Sequence, residues 1–110
     1  MIFKHDKFEC DIELNDTKTA AAIKKALPIK GSAEVWKEEV YFTIPLDLGQ
    51  EKGVSKVEQG DVAYWPPGKC FCIFYGKTQP VSAVTVVGKS KCNPEKFRSV
   101  REGDEVVLRK

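Results

Sequence analysis

Three groups of residues in this 110-residue chain have the types and spacing that chemistry requires. The densest runs Gly60-Asp-Val-Ala-Tyr64-Trp65-Pro66-Pro67-Gly68-Lys69 and continues through Phe71, Phe74, Tyr75, Gly76, Lys77 and Thr78. Tyr64 and Trp65 are neighbours on an expected strand, so they face opposite ways. One can join the core while the other stands beside a stiff Pro-Pro-Gly turn, where an aromatic ring makes a binding wall. The alternative is a ring that only covers a sheet edge or packs on a helix. The second group is Trp36, Glu39 and Tyr41, with Glu39 and Tyr41 two residues apart on one strand face. A carboxylate turned inward needs a hydrogen-bond partner or gives up its charge through a raised pKa. Such a group in a pocket can serve as a general acid or base. The plainer alternative is that Glu38 and Glu39 are solvated or pair with lysines. Together with Phe74, these residues give an expected ligand-binding set of Trp36, Glu39, Tyr41, Tyr64, Trp65 and Phe74 around an aromatic barrel-mouth pocket.

The third group is the cysteines, at 10, 70, 72 and 92. Cys70 and Cys72 share a strand face, but a C-x-C inside a strand holds its α-carbons roughly 7 Å apart. Structural zinc sites place their cysteines on turns, two to four residues apart. No metal site is expected, and the thiols read as small buried hydrophobes. A catalytic thiolate needs a cationic neighbour. The single histidine, His5, lies between Lys4 and Asp6 and is expected to be exposed and without function. Any relay of the Ser-His-Asp or Cys-His kind would have to run through it. The eight glycines are too dispersed for a phosphate-cradling loop, so no cofactor is expected and no catalytic residue is assigned.

Composition narrows the partners. Eighteen Lys and Arg stand against 16 Asp and Glu, a net charge of only +2, with the cations scattered rather than clustered as phosphate neutralisation requires. Lys69, Phe71, Phe74, Tyr75 and Lys77 interleave bases and rings, but no RNA-binding strand motif accompanies them. Neither nucleic acid nor membrane is expected as a partner, and no apolar run approaches the roughly 18 residues of a membrane span. The N-terminal residues lack the features of a secretory signal, which leads to an expected cytoplasmic setting with all four cysteines as thiols. Length allows one domain over residues 1–110, burying roughly 65% of the unfolded-chain surface. Oligomeric state is left open, since edge strands near the termini can pair two chains.

These side chains need elements to hold them. Phe8–Leu14 alternates with period two, as a half-buried strand does, and Ile2-Phe3 begins its hairpin partner. Asn15, Asp16 or Thr17 can cap a helix with Ile23 and Leu27 as its large apolar groups, stopped by Pro28. Glu34–Ile44 reads as one strand rich in β-branched and aromatic residues. Strands follow at Asp61–Trp65, Cys70–Tyr75, Ser82–Val87 (ended by Gly88) and Glu105–Arg109. Asn93 and Pro94 open a short helix at Glu95–Val100. Turns too short for parallel crossovers make the strands antiparallel. Seven or eight of them in so small a chain close up to protect their faces and edges, giving a mainly β fold, a small barrel capped by two short helices.

The run Gly60-Asp-Val-Ala-Tyr-Trp-Pro-Pro-Gly-Lys69, with Phe74–Thr78, Pro80–Val84 and the upstream block Trp36–Phe42, resembles the small prokaryotic cyclophilin-like proteins of the DUF369 type. The resemblance spans nearly the whole chain. It implies a closed antiparallel cyclophilin-like β-barrel with two capping helices. True cyclophilins isomerise X-Pro bonds with an arginine on a barrel strand beside an aromatic groove. Here arginine occurs only at 98, 101 and 109, so the central strands carry none and Arg109 is the one strand candidate. Two functions are therefore expected in competition. One is a non-catalytic binding module for a small molecule or extended peptide. The other is a peptidyl-prolyl isomerase in which Tyr41 or a lysine replaces the missing arginine.

Overall fold

The alternating segment near the N-terminus forms β2 (Glu9–Leu14), with Cys10 and Ile12 buried and Glu9, Asp11 and Glu13 exposed. It pairs with β1 (Ile2–Lys4) as a hairpin. The computed structural model describes residues 1–110 and continues with α1 (Lys18–Ala26), β3 (Ile29–Ser32), β4 (Glu34–Trp36) and β5 (Glu39–Thr43). Beyond these come β6 (Asp61–Trp65), β7 (Cys70–Phe74), β8 (Thr85–Ser90) and β9 (Glu105–Arg109). Two 3-10 segments lie at Pro66–Gly68 and Pro94–Ser99.

The nine strands form one antiparallel sheet in the order β3-β9-β1-β2-β8-β6-β7-β5-β4. Its two end strands, β3 and β4, are joined by Ala33 alone. The Ala33 amide donates to the Asp104 carbonyl at 2.8 Å and its carbonyl accepts from Gly103 at 2.7 Å. One residue thus bridges the two ends of the sheet, which curls into a nearly closed barrel. A cluster of 21 buried residues fills the interior, with Phe3, Ile12, Ile29, Phe42, Tyr64, Phe71 and Leu108 from the strands. Ala20 and Ile23 of α1 and Phe97 of the second 3-10 segment contribute to the same cluster, which is the capping role expected of the helices. Thr17 caps α1, its Oγ1 accepting from the Ala20 amide at 3.0 Å. Glu51 supports the same end, accepting from the Lys18 and Thr19 amides. A carboxylate satisfies orphan donors there and opposes the positive end of the helix. No helix is long and apolar enough to cross a membrane.

Several expectations are corrected. Glu34–Ile44 is not one strand but a hairpin, turned by Lys37 (φ +54°) and Glu38. The turn lacks the usual Gly or Asn and is held from outside. The Glu38 amide donates to Thr78 Oγ1 at 2.8 Å, its carboxylate accepts from the Lys77 amide at 2.9 Å, and Arg98 Nη2 reaches it at 2.6 Å. Strand β3 follows Pro28, where the sequence pattern predicts none. The strand expected at Ser82–Val87 lies at Thr85–Ser90, so Gly88 sits inside it rather than ending it. A side chain there would meet the backbone of β2, with its Cβ 2.3 Å from the Glu13 carbonyl oxygen, so glycine permits the β2–β8 pairing. The expected short helix, capped by Asn93 with Pro94 at its first position, is a 3-10 segment that ends at Ser99 rather than Val100.

The cysteines do not all remain thiols. Cys10 of β2 and Cys92, just after β8, form a disulfide with α-carbons 5.3 Å apart, while Cys70 and Cys72 are free and buried. Antiparallel pairing of β2 and β8 places the two positions side by side, a proximity that 82 residues of sequence separation conceal. His5 is buried rather than exposed, at 4%. Its Nε2 lies 2.7 Å from Asp104 Oδ2, and its Nδ1 accepts from the Lys7 amide at 3.2 Å, which places the ring proton on Nε2. The ring ties the β1–β2 turn to the turn before β9.

Candidate ligand-binding site

Side chains of β5, β7 and β6 sort by alternation into two faces. Val40 and Phe42, Phe71 and Ile73, and Val62 and Tyr64 point into the barrel. Glu39 and Tyr41, Cys70, Cys72 and Phe74, and Ala63 and Trp65 point to the outside. There Ala63, Cys70, Cys72 and Phe74 join Val57 and Val84 in a second, smaller cluster, with Tyr41 and Trp65 packed against it. This is why all five residues of β7 are buried: a strand covered on both faces reads as a continuous apolar run rather than an alternating one.

The cover on the outer face is made by two loops. Val54 and Val84 form an isolated antiparallel bridge. The Gln79 side chain exchanges hydrogen bonds with the Val57 backbone, accepting at 2.9 Å and donating at 3.1 Å. Trp65 Nε1 donates to Ser82 Oγ at 2.7 Å. The cover is incomplete, and a cavity of about 200 Å³ opens between Trp36, Glu39, Tyr41, Trp65, Cys72, Phe74, Pro80, Val81 and Val84. Register explains the grouping. Glu39 stands directly across from Trp36 on β4 and from Phe74 on β7, and Tyr41 stands across from Cys72.

Five of the six expected site residues therefore line one cavity. Tyr64 does not: it points into the barrel, where its hydroxyl donates to the Leu46 carbonyl at 2.7 Å and accepts from the Leu48 amide at 3.2 Å. Its role is to anchor the loop after β5. The cavity also lies on the outer wall of the barrel rather than at its mouth. Cys72, Pro80, Val81 and Val84 join the lining from outside the expected set. Cys72 has a legible signal, being two residues from Phe74 on the same strand face. The other three belong to a loop whose docking depends on long-range contacts.

Glu39 is the one carboxyl in the cavity and is only 7% exposed. Burial pushes its pKa up to about 7, opposed only in part by the Cys72 thiol. That thiol points its own weak hydrogen bond toward the Cys70 carbonyl at 3.9 Å. Burial also raises the Tyr41 hydroxyl, with Glu34, Glu102 and Glu39 adding repulsion. Cys72 is raised well above the usual thiol range by burial first and then by Glu39. A thiol so placed is a poor nucleophile. Glu38, one residue away, is the opposite case: hydrogen bonds from Lys77 and Arg98 hold its carboxyl below the ordinary range. Near neutral pH, Glu39 can thus present either a hydrogen-bond donor or an anion to whatever enters an otherwise apolar space.

No arginine or lysine lines this cavity. Arg98 is held by Glu38 and Glu95, and Arg109 by Glu9 at 3.2 Å. Arg101 instead borders a larger polar cleft of about 470 Å³ with Lys4, His5, Lys7, Ser99 and Asp104. That cleft brings His, Asp and Ser together without making a relay. One ring nitrogen of His5 is committed to Asp104, the other to the Lys7 amide, and Ser99 Oγ donates to the Lys96 carbonyl at 2.8 Å. No imidazole nitrogen is left to take a proton from the serine.

A family model for cyclophilin-like proteins matches residues 1–109. Among solved structures, the solution structure of a hypothetical protein from Archaeoglobus fulgidus superimposes with a TM-score of 0.83 at 38% sequence identity, covering 98% of this chain and 91% of that one. No curated protein matches the chain. Barrel, capping helices and family match agree, and the chain belongs to the cyclophilin-like family.

Proposed function

We propose that this protein is a binding module that takes a small, largely apolar molecule into the cavity on the outer face of β5, β7 and β6. The observation that carries this reading is the cavity's composition: four aromatic side chains and a single carboxyl, Glu39, around about 200 Å³. Ligand sites are concave, mostly apolar and fitted with few polar groups that fix orientation. An apolar cavity of about 150 Å³ is enough to hold benzene, so the volume suits one substituted ring or a compact branched group. An apolar side chain of an extended peptide fits the same space, but β4, the sheet edge beside it, offers only three residues for strand pairing. The cytoplasm remains the proposed setting. A disulfide there has its precedent in the intracellular proteins of hyperthermophiles.

A thermal-shift screen of single-ring and compact aliphatic compounds tests the reading. Compounds that raise the midpoint are expected, and Trp65→Ala is expected to abolish the rise while the protein still folds, since Trp65 is only partly buried. A screen without any stabilising compound, or one whose hits survive Trp65→Ala, contradicts it.

Prolyl isomerisation finds less support. With neither arginine nor lysine in the cavity, the polar groups available to an X-Pro amide are the Tyr41 hydroxyl, Glu39 and a weakly polar thiol. A protease-coupled assay is expected to give only the uncatalysed rate, tens to hundreds of seconds at 25 °C. Acceleration that Tyr41→Phe removes would favour the isomerase instead.

A further inference from the structure

We propose that the molecule this cavity accepts is a compact organic cation, an alkylated ammonium, seated against the faces of Trp36, Tyr41, Trp65 and Phe74 and paired with the Glu39 carboxylate. The inference rests on the binding reading above and names the ligand class for the same cavity. Its first support is the state of Glu39. Asp47, Glu58, Asp61, Glu38, Glu95 and Glu9 each have a lysine or arginine within 4 Å, whereas Glu39, more than nine-tenths buried, has none. The nearest candidate in sequence, Lys37, lies over the Trp36 ring, its Nζ 4.8 Å from the centroid, and forms no ion pair with Glu39. A buried carboxyl without a cation carries a desolvation cost that an entering cation relieves.

The second support is the wall itself. Aromatic rings carry negative charge on their faces, and a ring of them holds an alkylated ammonium better than a bare one, because the methyl groups need no hydrogen bonds. An anion would meet Glu39 with no positive group to offset it. A neutral molecule of the same shape would gain apolar contact only. Lys37 Nζ over Trp36 is a cation–π contact that this indole already makes within the chain.

Choline and its uncharged isostere 3,3-dimethylbutan-1-ol separate these contributions, since they share shape and hydroxyl and differ in charge. Both are titrated into the full chain and followed by tryptophan fluorescence, the two tryptophans both lying at the cavity. Choline is expected to bind about tenfold more tightly or better at about pH 8, and Glu39→Gln to remove that preference, read as the ratio of the two affinities. Choline binding is also expected to tighten as pH rises from about 6 to 8, with the alcohol unchanged. The titratable groups facing Glu39 are Tyr41 on its own strand, Cys70 and Cys72 on β7 and Glu34 on β4. Burial raises the first three further above this window. Equal binding, or tighter binding of the alcohol, overturns the cation assignment and leaves the apolar cavity standing as a binding site. Binding of neither, together with a screen that yields no compound, overturns both. Choline binding that survives Glu39→Gln places the cation elsewhere and overturns the proposal as well.

Discussion

Removing the Cys10–Cys92 bridge, by the paired changes Cys10→Ala and Cys92→Ala, is expected to lower the unfolding free energy by about 4 kcal/mol. The bridge closes a loop spanning 82 residues of sequence separation, and in the chain-entropy description a loop of that size constrains the unfolded ensemble by about 4–5 kcal/mol at 25 °C. Two methyl side chains of alanine pack without new polar groups, so little is added in the folded state beyond a small cavity at Cys10. For a domain of this length the loss corresponds to a fall in midpoint of about 15 °C or more. Guanidinium unfolding of the two proteins measures it directly. A difference below about 1 kcal/mol would show that the unfolded chain is already restrained, or that the bridge is not formed in solution.

Glu39→Gln is expected to change stability in a pH-dependent way, gaining about 3 kcal/mol relative to the parent between about pH 4 and pH 9. Burial raises the Glu39 carboxyl in the folded protein to about 7, from an ordinary 4.5. The folded state therefore holds its proton where the unfolded chain has released it. Between those two values the native state binds more protons, so stability falls as pH rises. The contribution is fully present below about 4.5 and lost above about 7, and each tenfold difference in proton affinity between the two states corresponds to about 1.4 kcal/mol. Glutamine keeps the shape and never ionises. Whatever constant cost its amide carries cancels when the two pH values are compared. Chemical unfolding of both proteins across the range checks this, and a difference that does not vary with pH would mean that Glu39 is solvated in the native state. Such a result would also remove the main ground for a cation ligand, because a hydrated carboxylate needs no partner.

Much of this site is legible in the sequence. Trp36, Glu39, Tyr41, Trp65 and Phe74 stand out as aromatics and a carboxyl on segments of strand composition, and alternation alone places Glu39 with Tyr41 and separates Tyr64 from Trp65. Choosing which of Tyr64 and Trp65 faces the barrel is a different matter. It depends on the register of β6 against β7, where Tyr64 stands across from Phe71 and Trp65 from Cys70, and a shift of one residue would exchange them. The barrel itself follows from strand count and short turns, as the edges must be protected. What local sequence hides is contact at a distance. The Lys37-Glu38 turn carries no turn-forming residue because Thr78, Lys77 and Arg98 hold it. His5 looks exposed between two charged neighbours because its partner, Asp104, is 99 residues away. Cys10 and Cys92 meet for the same reason. Trp36 and Glu39 read as members of a single strand, yet they are cross-strand partners in a hairpin, and that pairing places the carboxyl against the indole.

The missing arginine gains meaning in this setting. All three arginines are near the C-terminal end of the chain, and those at 98 and 109 are engaged in ion pairs on the barrel's exterior. The outer-face cavity is therefore left with a net negative character from Glu39 alone. A groove lacking positive charge suits a neutral or cationic guest.

The most direct test of a ligand site between the outer sheet face and its loop cover is a two-dimensional NMR titration of nitrogen-labelled protein with the compounds that raise the thermal midpoint. The chain has only two tryptophans, and both indoles belong to the cavity, so their ring N–H signals report occupancy at that place. Both indole signals are predicted to shift saturably with a common Kd, accompanied by the amides of Glu39, Tyr41, Cys72 and Phe74. Indole signals that stay fixed while amides around His5 and Arg101 move would locate binding in the polar cleft and contradict the assignment of the cavity.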